Sequence, residues 1–279
     1  MSGNLERKVA FVTGASRGIG KQAAIALAAR GFDVVLAARS MEEGERHERG
    51  ADNSDTSPVS GSLLGTAAQI EALGRRALPI RLDLLDTASI EQALATTFEQ
   101  WGQIDLLLNN GIYQGPGTMK PVLELTGEMV HKIYQGNVFA PLLLVQRCLP
   151  AMLARNSGCI INMVSNSATT DPPAPAGAGG WGFAYSSTKA ALMRMVGVLH
   201  AEHRDSGVHF FNVDPGFVPT ENMREKGLMG DFTETSGNAP ATVPAAVIAW
   251  LASAPEAAAH NAQTICAQPF CVEHRLLDE

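Results

Sequence analysis

The run Lys8-Val-Ala-Phe-Val-Thr-Gly14-Ala-Ser-Arg-Gly18-Ile-Gly20 joins a short apolar β-branched stretch to three glycines and then to the helical period of Lys21–Arg30. A strand that turns through glycines into a helix is the context in which backbone N–H groups approach a pyrophosphate. The spacing is GxxxGxG, not the more frequent GxGxxG, so position after the first strand is what makes Gly14, Ser16, Arg17, Gly18, Ile19 and Gly20 a candidate dinucleotide cradle. A tight strand-to-helix turn with no ligand is the alternative reading of the same residues.

Outward from that turn, short β-branched runs alternate with longer segments of helical period, the pattern of a parallel sheet covered on both faces. Strands are expected near 8–13, 33–38, 77–82, 104–109, 158–164, 208–213 and 263–267. Helices are expected near 18–30, 63–74, 87–101, 126–154, 184–205 and 242–253. Right-handed β–α–β connections make this one doubly wound α/β domain of Rossmann type over residues 1–279, with a seven-stranded parallel sheet. Two stretches break the alternation: a polar excursion at 41–61, and a Pro/Gly-rich loop at 171–182 whose prolines lack donors and whose glycines add backbone entropy. A third, 219–241, follows Pro215-Gly216 and carries Met223, Leu228, Met229 and Phe232, so it is expected to form an apolar substrate lid or to pack those side chains on the protein itself.

The chain has 279 residues, 46% of them hydrophobic, with a net charge of −7 and no basic stripe. That charge distribution argues against nucleic acid as a partner. No signal peptide is evident after Met1, and no apolar run approaches the roughly 20 residues of a membrane span, so no membrane is expected. The four cysteines, Cys148, Cys159, Cys266 and Cys271, contain no CxxC pair, which fits a reducing cytoplasm. His200 and His203 lack the spacing and third ligand of a zinc site, and no metal is expected.

At the end of the second strand an acid would accept from the ribose 2′-hydroxyl of NAD, whereas an arginine accommodates a 2′-phosphate. Here the strand ends in Arg39, and Arg17 in the glycine turn supplies a second cation, so NADP(H) is the favoured cofactor. Two solvated surface arginines are the alternative. Tyr185 and Lys189 lie four apart on one helical face. A phenol of pKa near 10 needs a neighbouring cation to act near neutrality, and Lys189 stands where it can provide one. Ser165 ends an apolar strand where a parallel sheet presents ligand-facing side chains. It could equally be a helix or turn cap.

Taken together, TGASRGIG, Asn109-Asn110-Gly111, Ser165, Tyr185-Ser-Ser-Thr-Lys189 and Asp214-Pro-Gly-Phe-Val-Pro-Thr220 resemble the short-chain dehydrogenase/reductase family, in the same order and over nearly the whole chain. The resemblance implies that Tyr185 is the general acid or base toward a small carbonyl or alcohol substrate, while hydride moves to or from the nicotinamide. It implies that Lys189 lowers the tyrosine pKa and binds the nicotinamide ribose, that Ser165 polarises the substrate oxygen, and that Asn137 anchors a proton-relay water. It places Asp83 by the adenine, Asn109 by the adenosine ribose, and Val218 with Thr220 by the carboxamide, and counts Leu84, Gly111, Pro215 and Gly216 among the cofactor-binding residues. Asp83 as a helix N-cap and Asn109 as a turn former remain open. It further implies a homodimer or homotetramer through the helices carrying Asn137 and Tyr185.

Three departures accompany the resemblance. The turn reads Asn-Asn-Gly-Ile in place of NNAG. Ser165 and Tyr185 are separated by a longer stretch than the family pattern, which keeps Ser167 in competition with Ser165. The last strand lacks a following Gly-Gly. Other chemistries of the family, such as dehydration, epimerisation or enoyl reduction, and a silent cofactor-binding scaffold, stand as alternatives to carbonyl reduction.

Overall fold

The computed structural model describes residues 7–47, 57–219 and 238–277. Seven parallel strands, β1 (Lys8–Thr13), β2 (Phe32–Ala38), β3 (Ala77–Arg81), β4 (Leu106–Asn109), β5 (Gly158–Met163), β6 (Val208–Asp214) and β7 (Thr264–Cys266), form one sheet in the order 3-2-1-4-5-6-7. The order reverses between β1 and β4, and a parallel sheet opens its ligand crevice beyond the strand ends at such a point.

The sheet is covered on both faces. Helices α1 (Gly18–Ala29), α2 (Leu63–Ala72), α7 (Thr242–Ser253) and α8 (Ala267–Glu273) close one core, in which Val12, Leu36, Leu108, Ile161 and Val213 are buried. Helices α3 (Thr87–Trp101), α5 (Ala140–Ala154) and α6 (Phe183–His203) close the other, around Phe11, Val35, Leu107, Ile160 and Phe210. Successive strand residues alternate between the two cores, as a strand with both faces buried requires. Local signals set several ends. Ser62 and Asp86 accept from Gly65 and Ala88 N–H groups to cap α2 and α3, and Gly102, at φ 79°, takes the left-handed turn that stops α3.

Three features differ from the sequence expectation. The stretch 126–154 is not one helix: α4 (Gly127–Tyr134) and α5 are separated by a π-turn at Gln135–Phe139. This joined run of 28 residues is also long and apolar enough to cross a membrane by length and composition, contrary to the reading that no run approaches that limit. Ile133, Ala140, Leu144, Cys148 and Met152 on its inner side are buried, as in a core helix. Helix α8 starts directly where β7 ends and was not anticipated. The excursion 41–61 is anchored at its ends, with Val59 N–H donating to the Glu45 carbonyl at 3.0 Å and Gly44 N–H to the Val59 carbonyl at 3.2 Å. The loop 171–182 contains neither helix nor strand, as its composition requires. Most of the lid at 219–241, including Met223, Leu228, Met229 and Phe232, lies outside the described residues.

Candidate active site

The glycine turn is built by close backbone approach. Gly14 has φ +69°, and a side chain on Gly20 would place a Cβ 2.2 Å from the Gly14 carbonyl oxygen and 2.4 Å from the Asn110 amide nitrogen. Only a residue without Cβ fits there. Arg17 occupies the N-cap of α1 without a side-chain cap, so N–H groups of the first turn are left without that partner, as a pyrophosphate site needs. The turn is clipped to β4 by two residues the motif reading passed over. Thr13 Oγ1 accepts from Asn110 N at 3.0 Å and Gly111 N at 2.9 Å, and Asn110 Nδ2 donates to the Thr13 carbonyl at 2.9 Å. The residues present therefore fit a bound dinucleotide.

Beside this cradle, Arg17 Nη2 donates to Ser40 Oγ at 2.7 Å, and Arg81 on β3 donates through Nη1 to the Arg39 carbonyl. Arg81 also makes a two-pronged pair with Glu45, at 2.7 and 2.9 Å. That bond, with lesser help from the Glu42 N–H, holds the Glu45 carboxyl down at about 2. Three guanidiniums and one carboxylate thus gather where β2 ends.

The remaining cofactor candidates lie along the C-terminal strand ends. Asp83 is not a helix N-cap: Asp86 caps α3, and Asp83 Oδ1 instead accepts from Leu85 N at 2.9 Å, leaving Leu84 in the turn between them. Asn109 is buried: its Nδ2 donates to Asn162 Oδ1 at 2.9 Å, while its Oδ1 has no hydrogen-bond partner. Asn162 and Asn212 stand in the same register on β5 and β6, and their amides donate to the Leu192 and Met193 carbonyls of α6. Gln268 of α8, another residue the sequence did not single out, donates to the Pro215 and Phe217 carbonyls at 3.2 Å each, bracing the turn at Gly216. Val218 is buried behind it. Thr220 lies outside the described residues.

Asn137, Ser165, Tyr185 and Lys189 occupy the π-turn, the end of β5 and the start of α6. A π-turn widens a helix by one residue and recurs at functional sites. Here it aims Asn137 inward, where Oδ1 accepts from Tyr113 N at 2.7 Å and Nδ2 donates to the Tyr113 carbonyl at 3.2 Å. Ser165 is half-exposed and caps the 3₁₀ turn Asn166–Ala168, accepting from Ser167 N at 3.2 Å, so cap and site residue coincide. Ser167 is 4% exposed, and its buried hydroxyl has no hydrogen-bond partner.

The Lys189 ammonium is buried, donates to the Met163 carbonyl at 2.7 Å and lies 5.9 Å from the Tyr185 ring centroid. Burial pushes it down to about 8, against the opposing charge of Asp214. The Tyr185 phenol is raised above its usual value, chiefly by burial; the Ser165 hydroxyl, hydrogen-bonding to it, pulls the other way, and the Asp214 carboxylate adds to the rise. The expectation that Lys189 depresses the tyrosine is therefore not met here: the ammonium is turned to a backbone carbonyl, and desolvation dominates. A phenol that keeps its proton at neutral pH is arranged to give one to an acceptor beside Ser165.

The Pro/Gly loop leads into the start of α6, where Gly182 is the N-cap. A Cβ on Gly182 would lie 2.9 Å from the Lys120 carbonyl oxygen and 3.0 Å from that of Thr118, so the loop end is seated on 118–120. Lys120, Pro121, Val122, Pro172, Ala176, Trp181, and Phe183 line a groove of about 310 Å³ along this seam.

A nucleotide cradle at a sheet's switch point, with a half-buried phenol and a buried ammonium one helical turn apart beyond it, defines a dinucleotide-dependent oxidoreductase architecture. Comparison with known proteins agrees. The short chain dehydrogenase family model matches residues 8–60 and 47–229. An uncharacterized oxidoreductase of Methylorubrum extorquens is 32% identical over 231 residues, covering 82% of this chain and 81% of that protein. A short chain dehydrogenase of Pseudocercospora fijiensis is 30% identical over 221 residues, covering 78% of this chain but only 62% of that longer protein. A protein of Mycobacterium tuberculosis whose name calls it an NAD-dependent oxidoreductase is 29% identical over 245 residues, covering 84% of this chain and 80% of that protein. Among solved structures, a metagenomic short-chain oxidoreductase in complex with NADP superposes with a TM-score of 0.68 at 25% identity, covering 93% of this chain and 96% of that one. The chain belongs to the short-chain dehydrogenase/reductase family of oxidoreductases.

Proposed function

We propose that this protein reversibly reduces a small-molecule carbonyl to an alcohol, using NADP(H). The observation that carries the reading is the pairing of a half-buried, proton-retaining Tyr185 with the Ser165 hydroxyl, one helical turn from the buried Lys189 ammonium. Ser165 donates to the carbonyl oxygen and polarises it, and Tyr185 gives that oxygen its proton as general acid. Lys189 keeps positive charge beneath the phenol as the proton leaves, and binds the nicotinamide ribose. Asn137, by holding Tyr113, fixes the opposite wall and the path by which the tyrosine is reprotonated. Bound nicotinamide supplies the hydride. Gly14, Ser16, Gly18, Ile19 and Gly20 hold the pyrophosphate, and Arg17 with Arg39 favour a 2′-phosphate over a bare ribose.

A homo-oligomer formed through α4, α5 and α6 accompanies this reading, supported by the exposed Phe139 on the π-turn, Leu142 on α5 and Val198 on α6. The experiment is a panel of ketones, aldehydes and quinones incubated with NADPH or NADH, followed at the absorbance of the reduced nicotinamide. Turnover is expected with at least one carbonyl and with NADPH ahead of NADH, and Tyr185→Phe is expected to lower it about 10²–10⁴-fold. Undiminished turnover in that variant refutes the assignment.

A further inference from the structure

The corner where β2 ends contains a histidine that the cofactor motif does not use. The ends of the excursion pair beside His47, Arg46 with Pro58 and Val59 N with the Glu45 carbonyl at 3.0 Å, and Gly61, a few residues on, is so close to the glycine turn that a Cβ there would sit 2.5 Å from the Ser16 carbonyl oxygen and 2.9 Å from Arg17 Cβ. His47 Nε2 lies 3.6 Å from Glu45 Oε2, too far for a hydrogen bond, and is buried without a partner. Glu45 is already engaged elsewhere, its carboxylate accepting from Met41 N, Glu42 N and both Arg81 Nη atoms at 2.7–3.1 Å. A buried nitrogen with no partner is unfavourable unless something arrives to satisfy it.

The charges facing His47 say what that is. Arg39 at the end of β2, Arg17 in the glycine turn and Arg81 on β3 all oppose its protonation, after burial itself, and only Glu45 favours it. In the free protein the imidazole is therefore neutral at pH 7. A phosphate dianion held by Arg17 and Arg39 reverses the local potential and offers oxygens that an imidazolium can donate to.

We propose that His47 is a third reader of the cofactor's 2′-phosphate, taking up a proton as the phosphate binds, so that preference for NADP(H) over NAD(H) is set partly by His47 and strengthens as pH falls. The inference rests on the NADP(H) reading above. The sign follows from linkage: His47 has a pKa below its ordinary value in the free protein and a higher one in the complex. Between the two, binding absorbs a proton and tightens with acidity. Below about pH 6 the phosphate's own second proton works in the opposite direction, so the window is roughly pH 6.5–8.5.

The test is calorimetric titration of the whole protein with NADPH and NADH in two buffers of different ionisation enthalpy. Proton uptake is expected with NADPH and not with NADH. His47→Gln is expected to abolish the uptake and weaken NADPH binding about tenfold at pH 6.5, with little change at pH 8.5 or toward NADH. His47→Arg, with a permanent charge, is expected to bind NADPH tightly at both pH values without uptake. Unaltered uptake and affinity in His47→Gln, with NADPH still preferred, overturns the role of His47 and leaves the cofactor reading standing. Equal weakening toward both cofactors also overturns it, by making His47 a structural prop. Equal wild-type affinity for NADPH and NADH overturns both.

Discussion

Replacing Lys189 by methionine is expected to make the folded protein more stable at neutral pH while disabling it. Burial lowers the ammonium from 10.5 to about 8, which at about 1.4 kcal/mol per pH unit disfavours the charged form by roughly 3 kcal/mol. Methionine fills similar space without that charge, but forfeits the hydrogen bond to the Met163 carbonyl, a loss of roughly 1 kcal/mol. The variant should therefore gain about 2 kcal/mol near pH 7. The pH dependence is the sharper signature. Unfolded lysine keeps its proton to about pH 10.5 and the folded one releases it near 8, so in that interval the unfolded state binds more protons and wild-type stability rises with pH. The variant lacks this rise, and its advantage should shrink by about 2 kcal/mol between roughly pH 8 and pH 9.5. Denaturant unfolding at several pH values measures both. A variant less stable than wild type at pH 7, with a gap that does not change up to pH 9.5, would show that Lys189 is not under a desolvation penalty and refute the reasoning.

Asp214→Asn removes a charge that raises both Tyr185 and Lys189, so the alkaline limb of the reduction-rate profile should move to lower pH; an unmoved limb separates Asp214 from the pair. Ser165→Ala should lower kcat, whereas Ser167→Ala, which deletes a buried hydroxyl without a partner, should leave turnover intact and change stability by no more than about 1 kcal/mol in its favour; the reverse pattern in steady-state kinetics and thermal melts would exchange their roles. Gly20→Ala drives a Cβ onto the Gly14 carbonyl and the Asn110 amide and should lower cofactor affinity at least tenfold, read by fluorescence titration of the reduced nicotinamide, with wild-type affinity as the refuting result.

Where function follows from local chemistry, the sequence was informative. The β-branched runs that became β1, β2, β5 and β6 are buried on both faces, which is why their composition announced them. Tyr185 and Lys189 share a helix, so their spacing was enough to pair them. What depended on distant partners was hidden. The π-turn at 135–139 goes with a side chain that pairs with the Tyr113 backbone 24 residues earlier, and a helical period carries no trace of that. Thr13 and Asn110 looked like ordinary members of a strand end and a turn, and their mutual clip appears only once β1 and β4 are neighbours. His47 lay in a stretch whose charges, serines and glycines read as an excursion, and the pairing of its ends, with His47 in the field of Arg17 and Arg39, is not encoded in composition.

The asparagines at the ends of β4, β5 and β6 have a consequence for how the sheet is assembled. Asn109, Asn162 and Asn212 stand side by side in register, and Asn212 also donates to Thr264 on β7. Sliding any of these strands by one residue would push a carboxamide into the opposite apolar layer and turn an aliphatic side chain toward the others. The row therefore acts as an alignment mark: four strands are trimmed to a common height, and the loops that begin just past it, bearing Gly111, Ser165 and Pro215, leave the sheet from one shared ledge.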